Sequence, residues 1–264
     1  MALGLTLLAG LSTGIGSLIG LGSRPTSHRF LTLSLGFSAG AMVYVSLVEI
    51  LPKARLVLTP LLGARLGYAA AVLAFLGGIV AMALVDRLLP VHDTTGALGQ
   101  LEAPLDELQD PRRRRRLLRI GLFSALAIGI HNFPEGLATF LGALANPQLG
   151  VSIAVAIGIH NIPEGLAVSA PVYFATGSRK IAFWVSFLSG LAEPIGGLIG
   201  FALFRSLPNP TAFGMVFASL AGVMVYVSLH ELLPAARDYG EQDMAMVSLV
   251  AGMAVMALSL VLLA

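Results

Sequence analysis

The chain has no cysteine, so it can form no disulfide bond and offers no thiolate ligand to a metal ion. Charged residues are also scarce, at 11% of the chain, whereas a soluble domain carries about 25%. Hydrophobic residues make up 56%, and the mean hydropathy is +0.87. This composition excludes an ordinary soluble domain and predicts an all-α integral membrane protein.

Residues 1–10 lack the basic segment of a signal peptide and continue into a Gly-rich apolar stretch, so we expect a retained first span. The length of the chain fits eight spans of about 20 residues each. We place them at 2–22, 31–52, 65–89, 118–145, 148–175, 180–205, 211–235 and 244–263. The chain is then one transmembrane domain, 1–264, with a single long loop at about 90–117.

Basic residues predict the orientation of the spans, because cytoplasmic loops carry an excess of Lys and Arg. With both termini on the extracytoplasmic side of the inner membrane, twelve of the 16 basic residues lie inside, including the run Arg112 to Arg116. The long loop is then cytoplasmic, and we interpret the basic run as a topology signal and not as a nucleic-acid site. His92 and Asp93 are interpreted as ordinary solvated loop residues.

One motif occurs twice, at residues 131–138 and 160–167, and each copy lies inside a predicted span. Both read His-Asn-x-Pro-Glu-Gly-Leu-Ala. On a helix Glu135 lies about 40° and Asn132 about 100° round from His131. One Glu135 oxygen can therefore share an ion with His131, and the other can share a second ion with Asn132.

Each copy of the motif also contains a proline, which has no backbone N–H. Pro134 and Pro163 therefore leave the carbonyls of Ile130 and Ile159 without their helical hydrogen-bond partners. Irregular backbone at membrane depth is tolerated where it lines a cavity. Charged side chains within spans cost about 2.5–3.5 kcal/mol each and mark functional sites. A bound metal is the most economical explanation; a structural network of protonated Glu hydrogen-bonded to Asn is the alternative.

Longer segments repeat as well: 40–52 returns as 222–234, and 10–20 returns as 190–200. Span 1 therefore matches span 6, span 2 matches span 7, and span 4 matches span 5, in opposite directions across the membrane. This predicts an inverted repeat of three, two and three spans. Such repeats are typical of secondary transporters, whose substrate sites lie near the midplane.

Glu193 breaks the repeat, because the matching residue of span 1 is Thr13. We expect Glu193, which precedes Pro194, to join the metal site. Glu49 and Glu231 occupy matching positions near helix ends, and His230 adjoins Glu231. These three are either way-stations for the ion or residues that snorkel at helix ends.

The ligand types predict the class of ion. Imidazole together with carboxylate and amide oxygens suits Zn²⁺, Fe²⁺, Mn²⁺, Co²⁺ or Cd²⁺, and the lack of thiolate disfavours Cu(I). We expect these ions to be transported substrates that bind to the protein within the lipid bilayer. We expect no cofactor.

The doubled motif, the eight spans and the segment Ser228-Leu-His-Glu-Leu-Leu-Pro234 resemble the ZIP (Zrt-, Irt-like) divalent metal transporters, in particular their bacterial ZupT-type branch. The likeness covers nearly the whole chain. It implies uptake of Zn²⁺ and Fe²⁺ foremost into the cytoplasm, and a homodimer is a candidate assembly. Many ZIP proteins have a His-rich loop between spans 3 and 4, where this chain has only His92.

The resemblance also implies a binuclear metal site. One ion would be held by His131, Glu135, His160 and Glu164. The other would be held by Asn132, Glu135, Asn161, Glu164 and Glu193.

Two other classes compete with a transporter. An intramembrane metalloprotease would carry His-Glu-x-x-His, but His230-Glu231 lacks the second His. A membrane di-iron oxidase would carry Glu-x-x-His pairs, whereas the order here is His-x-x-x-Glu. An enzyme is therefore not expected. A membrane protein that binds metal without moving it stays open, and uptake into liposomes separates it from a transporter.

Overall fold

The computed structural model describes residues 1–22, 28–88, 111–206, 209–238 and 242–263. Most of the predicted loop, including His92 and Asp93, lies outside these residues. Every secondary-structure element in the described ranges is helical, and eight helices there are long and apolar enough to cross a membrane. The prediction of an all-α protein with eight spans is confirmed.

We number the helices by span, and some spans consist of consecutive segments. They are α1 (Ala2–Gly22), α2 (His28–Tyr44, the π-helical Val45–Ile50, and Leu51–Leu62), α3 (Ala64–Leu88), α4 (Pro111–Ala145), α5 (Pro147–Thr176), α6 (Arg179–Gly190 and Ala192–Ser206), α7 (Pro210–Val227, the π-helical Ser228–Leu232, and Leu233–Asp238) and α8 (Gln242–Leu263).

The predicted end of span 2 is wrong. Helix α2 does not end at Pro52, because a π-helical turn precedes the proline and the Leu51 N–H bonds to Ser46 O, five residues back. The wider turn accommodates the proline ring within a continuous helix. Helix α4 begins at Pro111, ahead of the predicted span, since proline suits the first helical position and arginine is a good helix former. Its apolar part, Leu117–Leu144, agrees with the predicted span at 118–145.

The four helices α1, α4, α5 and α6 pack together as a central bundle. Helix α2 pairs with α8, and α3 pairs with α7, and both pairs flank this bundle. The outer helices expose apolar side chains at helical spacing, for example Leu73, Val80 and Leu84 on α3. Such a surface suits the hydrocarbon of a bilayer.

The turn between α4 and α5 fixes the depth of the two motif copies. It consists of Asn146 alone, whose side-chain oxygen accepts from Gln148 N at 2.8 Å, and Pro147 follows at the start of α5. His131 lies about 15 residues before this turn and His160 about 14 after it. At about 1.5 Å per residue, both histidines lie about 21–22 Å from the turn on neighbouring antiparallel helices.

Close backbone crossings recur at positions that the sequence repeat matches. A Cβ on Gly16 of α1 would lie 1.9 Å from Ile162 O of α5, and a Cβ on Gly196 of α6 would lie 2.2 Å from Phe133 O of α4. Each crossing brings a helix backbone against the residue just before a motif proline. Only glycine fits there.

We expect Gly16→Ala to destabilise the protein by about 1–3 kcal/mol, the usual effect of overpacking a tight contact. The thermal unfolding midpoint in detergent measures the change. Gly4→Ala on the same helix is the matched control, because a Cβ there meets nothing within 4 Å. Equal midpoints for the two variants would contradict the close α1–α5 crossing.

Candidate metal centre

The seven residues predicted to bind metal come from three neighbouring helices of the central bundle. Helix α4 carries His131, Asn132 and Glu135, helix α5 carries His160, Asn161 and Glu164, and α6 carries Glu193. All seven are buried, with at most 2% of any of them exposed. The α6 helix is interrupted at Leu191, so Glu193 lies in the first turn of its second segment.

The two histidines pair crosswise with the glutamates of the opposite helix. His131 Nε2 lies 3.3 Å from Glu164 Oε1, and His160 Nε2 lies 3.2 Å from Glu135 Oε2. The duplicated motif thus forms two matching His–Glu contacts. The His160–Glu135 contact is a hydrogen bond, whereas neither ring nitrogen of His131 has a hydrogen-bond partner among the described residues. Nitrogen and carboxylate donors from both helices face each other.

The two asparagines are oriented by backbone carbonyls of the other bundle helices. Asn132 Nδ2 donates to Ser189 O on α6 at 3.3 Å, and Asn161 Nδ2 donates to Ala9 O on α1 at 3.0 Å. Asn161 Nδ2 also donates to Glu193 Oε1. Because each amide nitrogen is engaged, the amide oxygen is the atom left to act as a ligand.

Six buried oxygens of the cluster have no hydrogen-bond partner among the described residues. They are Asn132 Oδ1, Glu135 Oε1, Asn161 Oδ1, both carboxylate oxygens of Glu164 and Glu193 Oε2. An unpaired buried acceptor costs about 1–3 kcal/mol, more when it is charged. A cation bound among these oxygens would offset that cost, and the mixture of imidazole and oxygen donors suits divalent transition metals.

The side chains are arranged in pairs rather than around one point. In the part of the chain that the structure describes, no group of three or more His, Asp or Glu side chains already stands in a metal-binding arrangement. Binding one ion by both histidines and both glutamates therefore requires rotations that join the two His–Glu pairs.

The cluster continues toward the end of α7 through Glu231. Glu231 Oε2 lies 3.8 Å from His131 Nδ1. Beyond it, Asp86 Oδ2 on α3 lies 3.6 Å from His230 Nδ1 and accepts a hydrogen bond from Tyr226 OH at 3.1 Å. Sequence reasoning missed Asp86 and Tyr226, although an acidic residue inside the predicted third span was a usable signal.

Glu49, the repeat partner of Glu231, has a different neighbour. Its carboxylate lies 2.7 Å from Lys53 Nζ on the next turn of α2. The expectation that Glu49 lies near a helix end is wrong, because α2 continues to Leu62, and Glu49 pairs with this lysine inside the helix. The two halves therefore differ in the polar residues that adjoin the central cluster.

The family model described as ZIP Zinc transporter matches residues 106–260. The chain belongs to the ZIP family. A zinc transporter ZupT of Chlorobium chlorochromatii is 58% identical over 261 residues, which cover 99% of this chain and 97% of the relative. A zinc transporter ZupT of Chlorobaculum parvum is 59% identical, and the match covers 99% of this chain and 97% of the relative. A zinc transporter ZupT of Streptococcus mutans is 50% identical, and the match covers 98% of this chain and 96% of the relative.

Membership of the ZIP family, together with eight apolar helices, identifies a multi-pass membrane transporter and not an enzyme. The pentapeptides 10–14 and 36–40 read Gly-x-Ser-x-Gly, the pattern of a hydrolase nucleophile. Both lie inside helices α1 and α2 and lack the strand-to-helix turn that exposes such a serine.

Proposed function

We propose that the chain carries Zn²⁺, and also Fe²⁺, Mn²⁺, Co²⁺ and Cd²⁺, across the cell (inner) membrane into the cytoplasm. The path runs through a two-ion site between α4, α5 and α6. One ion is held by His131, Glu135, His160 and Glu164, and the other by Asn132, Glu135, Asn161, Glu164 and Glu193. The relatives named zinc transporter ZupT support Zn²⁺ as a substrate.

The observation that carries this proposal is the crosswise pairing of the two His–Glu couples. Each histidine nitrogen lies within 3.3 Å of a carboxylate oxygen on the opposite helix, fully inside the protein. An ion that displaces the histidine–carboxylate contacts gains two nitrogen and several oxygen donors with little backbone movement. The donors come from separate helices, so a change in helix packing loosens the site and lets the ion leave.

Alternating access follows from an inverted repeat of three, two and three spans, which we infer from matched contacts. The Asn132 amide bonds to Ser189 O and the Asn161 amide bonds to Ala9 O, and Ala9 and Ser189 are equivalent in the repeat. The two π-helical segments, Val45–Ile50 and Ser228–Leu232, also occupy matching positions. Two equivalent halves around a midplane site can exchange packing to face either side of the membrane.

The residues beyond His131 supply a route from the site. Glu231, His230 and Asp86 lie on the side of the membrane where α3 and α7 end, which carries the excess of basic residues and is cytoplasmic in our topology. We therefore assign them to the release of the ion. Both termini are then extracytoplasmic, and the resemblance adds a homodimer as a candidate assembly.

We expect Glu231→Gln to lower the rate of Zn²⁺ uptake about tenfold, because it removes the carboxylate charge 3.8 Å from His131 Nδ1. The matched control is Glu49→Gln at the equivalent repeat position, which should leave uptake unchanged. Initial uptake rates in proteoliposomes measure both. Unchanged uptake in Glu231→Gln would remove this residue from the path.

The test of the proposed function is metal uptake into proteoliposomes under competing ions, with and without a proton gradient. Uptake of Zn²⁺ that Fe²⁺, Mn²⁺, Co²⁺ and Cd²⁺ reduce in competition would support it. A protein that binds Zn²⁺ in detergent but moves none into liposomes would instead be a metal-binding membrane protein without transport.

A further inference from the structure

We propose that the Thr13 hydroxyl is an additional oxygen ligand of the metal site and helps to determine which ion the site prefers. This inference rests on the proposed function, and Thr13 contributes a neutral oxygen where the other half of the protein contributes the carboxylate of Glu193.

The Thr13 hydroxyl is buried without its usual partner. Thr13 is 0% exposed, and its Oγ1 has no hydrogen-bond partner within the described residues. A threonine in a helix usually donates to the carbonyl three or four residues back, here Gly10 or Ala9. Ala9 O already accepts from Asn161 Nδ2 at 3.0 Å, and Gly10 O faces Gly190 across the α1–α6 crossing.

Thr13 packs against residues that adjoin those of the metal site. Asn161 reaches the carbonyl one helical turn below Thr13 on the same helix. The backbone of Thr13 lies against Gly165, the residue after Glu164, where a Cβ would be 1.9 Å from Thr13 O. Its hydroxyl lies 2.9 Å from the Cβ position of Gly190, next to the break in α6 that precedes Glu193.

The same arrangement surrounds Glu193 in the other half. Asn132 Nδ2 donates to Ser189 O, four residues before Glu193 and across the break in α6, just as Ala9 lies four residues before Thr13. The backbone of Glu193 lies against Gly136, the residue after Glu135, again with 1.9 Å between a Cβ and the carbonyl oxygen. In the inverted repeat, the position of Thr13 relative to Glu164 and Asn161 is therefore equivalent to that of Glu193 relative to Glu135 and Asn132.

The chemistry of the hydroxyl predicts its effect on ion preference. A neutral oxygen ligand matters most for ions such as Mn²⁺, which prefer oxygen donors, and matters less for Zn²⁺, which binds well to histidine. A hydroxyl in place of a fourth carboxylate also limits the negative charge of the site, so that bound ions can leave.

The test compares Thr13→Val, which keeps the shape and removes the hydroxyl, with Thr13→Ser, which keeps the hydroxyl and removes the methyl group. The measured quantity is the Mn²⁺ concentration that halves Zn²⁺ uptake into proteoliposomes. We expect Thr13→Val to raise this concentration about fivefold. The KM for Zn²⁺ should change less than about twofold, and Thr13→Ser should match the wild type in both. Thr13→Ala serves as a second variant without the hydroxyl should Thr13→Val fail to fold.

The matched control is Thr6→Val, the same substitution at another fully buried threonine of α1, whose hydroxyl is bonded to Leu3 O at 2.9 Å. It should leave both values unchanged. Equal behaviour of Thr13→Val and wild type, or equal shifts for Thr13→Val and Thr13→Ser, would overturn the role of Thr13. A wild type that moves no Zn²⁺, or whose Zn²⁺ uptake Mn²⁺ does not reduce, would instead overturn the proposed function on which it rests.

Discussion

Glu164→Gln is expected to lower Zn²⁺ uptake into proteoliposomes by at least about 100-fold. Even residues that only orient metal ligands change affinity or activity by about 10–100-fold, and Glu164 is proposed to bind both ions directly. Glutamine keeps the size of the side chain but removes the charge that faces His131 Nε2 at 3.3 Å. Initial rates of uptake, at Zn²⁺ concentrations above and below the wild-type KM, measure the loss.

The control for this variant is Asp243→Asn, which removes an acidic charge from the exposed first turn of α8. It should transport like the wild type. The folded state of Glu164→Gln is checked by its thermal unfolding midpoint in detergent, because a variant that is folded and inactive separates transport from stability. A folded Glu164→Gln protein with uptake near the wild-type rate would remove Glu164 from the path.

Glu193→Ala is expected to reduce the number of bound ions from about two per chain to about one. Among the three proposed carboxylate ligands, Glu193 binds only the second ion, whereas Glu135 and Glu164 bind both. One Glu193 oxygen, Oε2, is buried and has no hydrogen-bond partner among the described residues. The His–Glu couples of α4 and α5 do not involve Glu193, so the first ion should remain. Equilibrium dialysis with Cd²⁺, followed by elemental analysis, measures the stoichiometry.

Glu193→Gln gives the matched comparison, because it keeps an oxygen that accepts from Asn161 and removes only the charge. We expect it to weaken the second ion without abolishing it. Two ions bound with unchanged affinity in Glu193→Ala would show that Glu193 holds neither of them. The loss of both would show that the two ions bind as a unit.

Much of the fold was predictable from the sequence because two signals are strong. Apolar runs of about 20 residues with few charges identify spans. A motif repeated on either side of a short turn places both copies at equal depth on antiparallel helices, and all seven predicted ligands are indeed buried in the central bundle. The predicted function class followed from the same motif.

Other features were not predictable, for identifiable reasons. Pro52 reads as a helix end, because the π-helical turn that accommodates it depends on backbone hydrogen bonds with no sequence signature. The approach of Glu231 to His131 depends on how α7 packs against α4, which residue spacing within one helix does not specify. The pairing of each His with the Glu of the opposite helix likewise depends on the rotation of α4 against α5.

The most direct test of the two-ion site is the anomalous diffraction of a Zn²⁺ or Cd²⁺ complex of the wild-type protein. The account predicts two peaks between α4 and α5 at the depth of the motif. One peak should lie about 2.0–2.2 Å, for Zn²⁺, from His131, His160 and the carboxylates of Glu135 and Glu164. Peaks confined to the surface, with the His131–Glu164 and His160–Glu135 contacts intact, would contradict it.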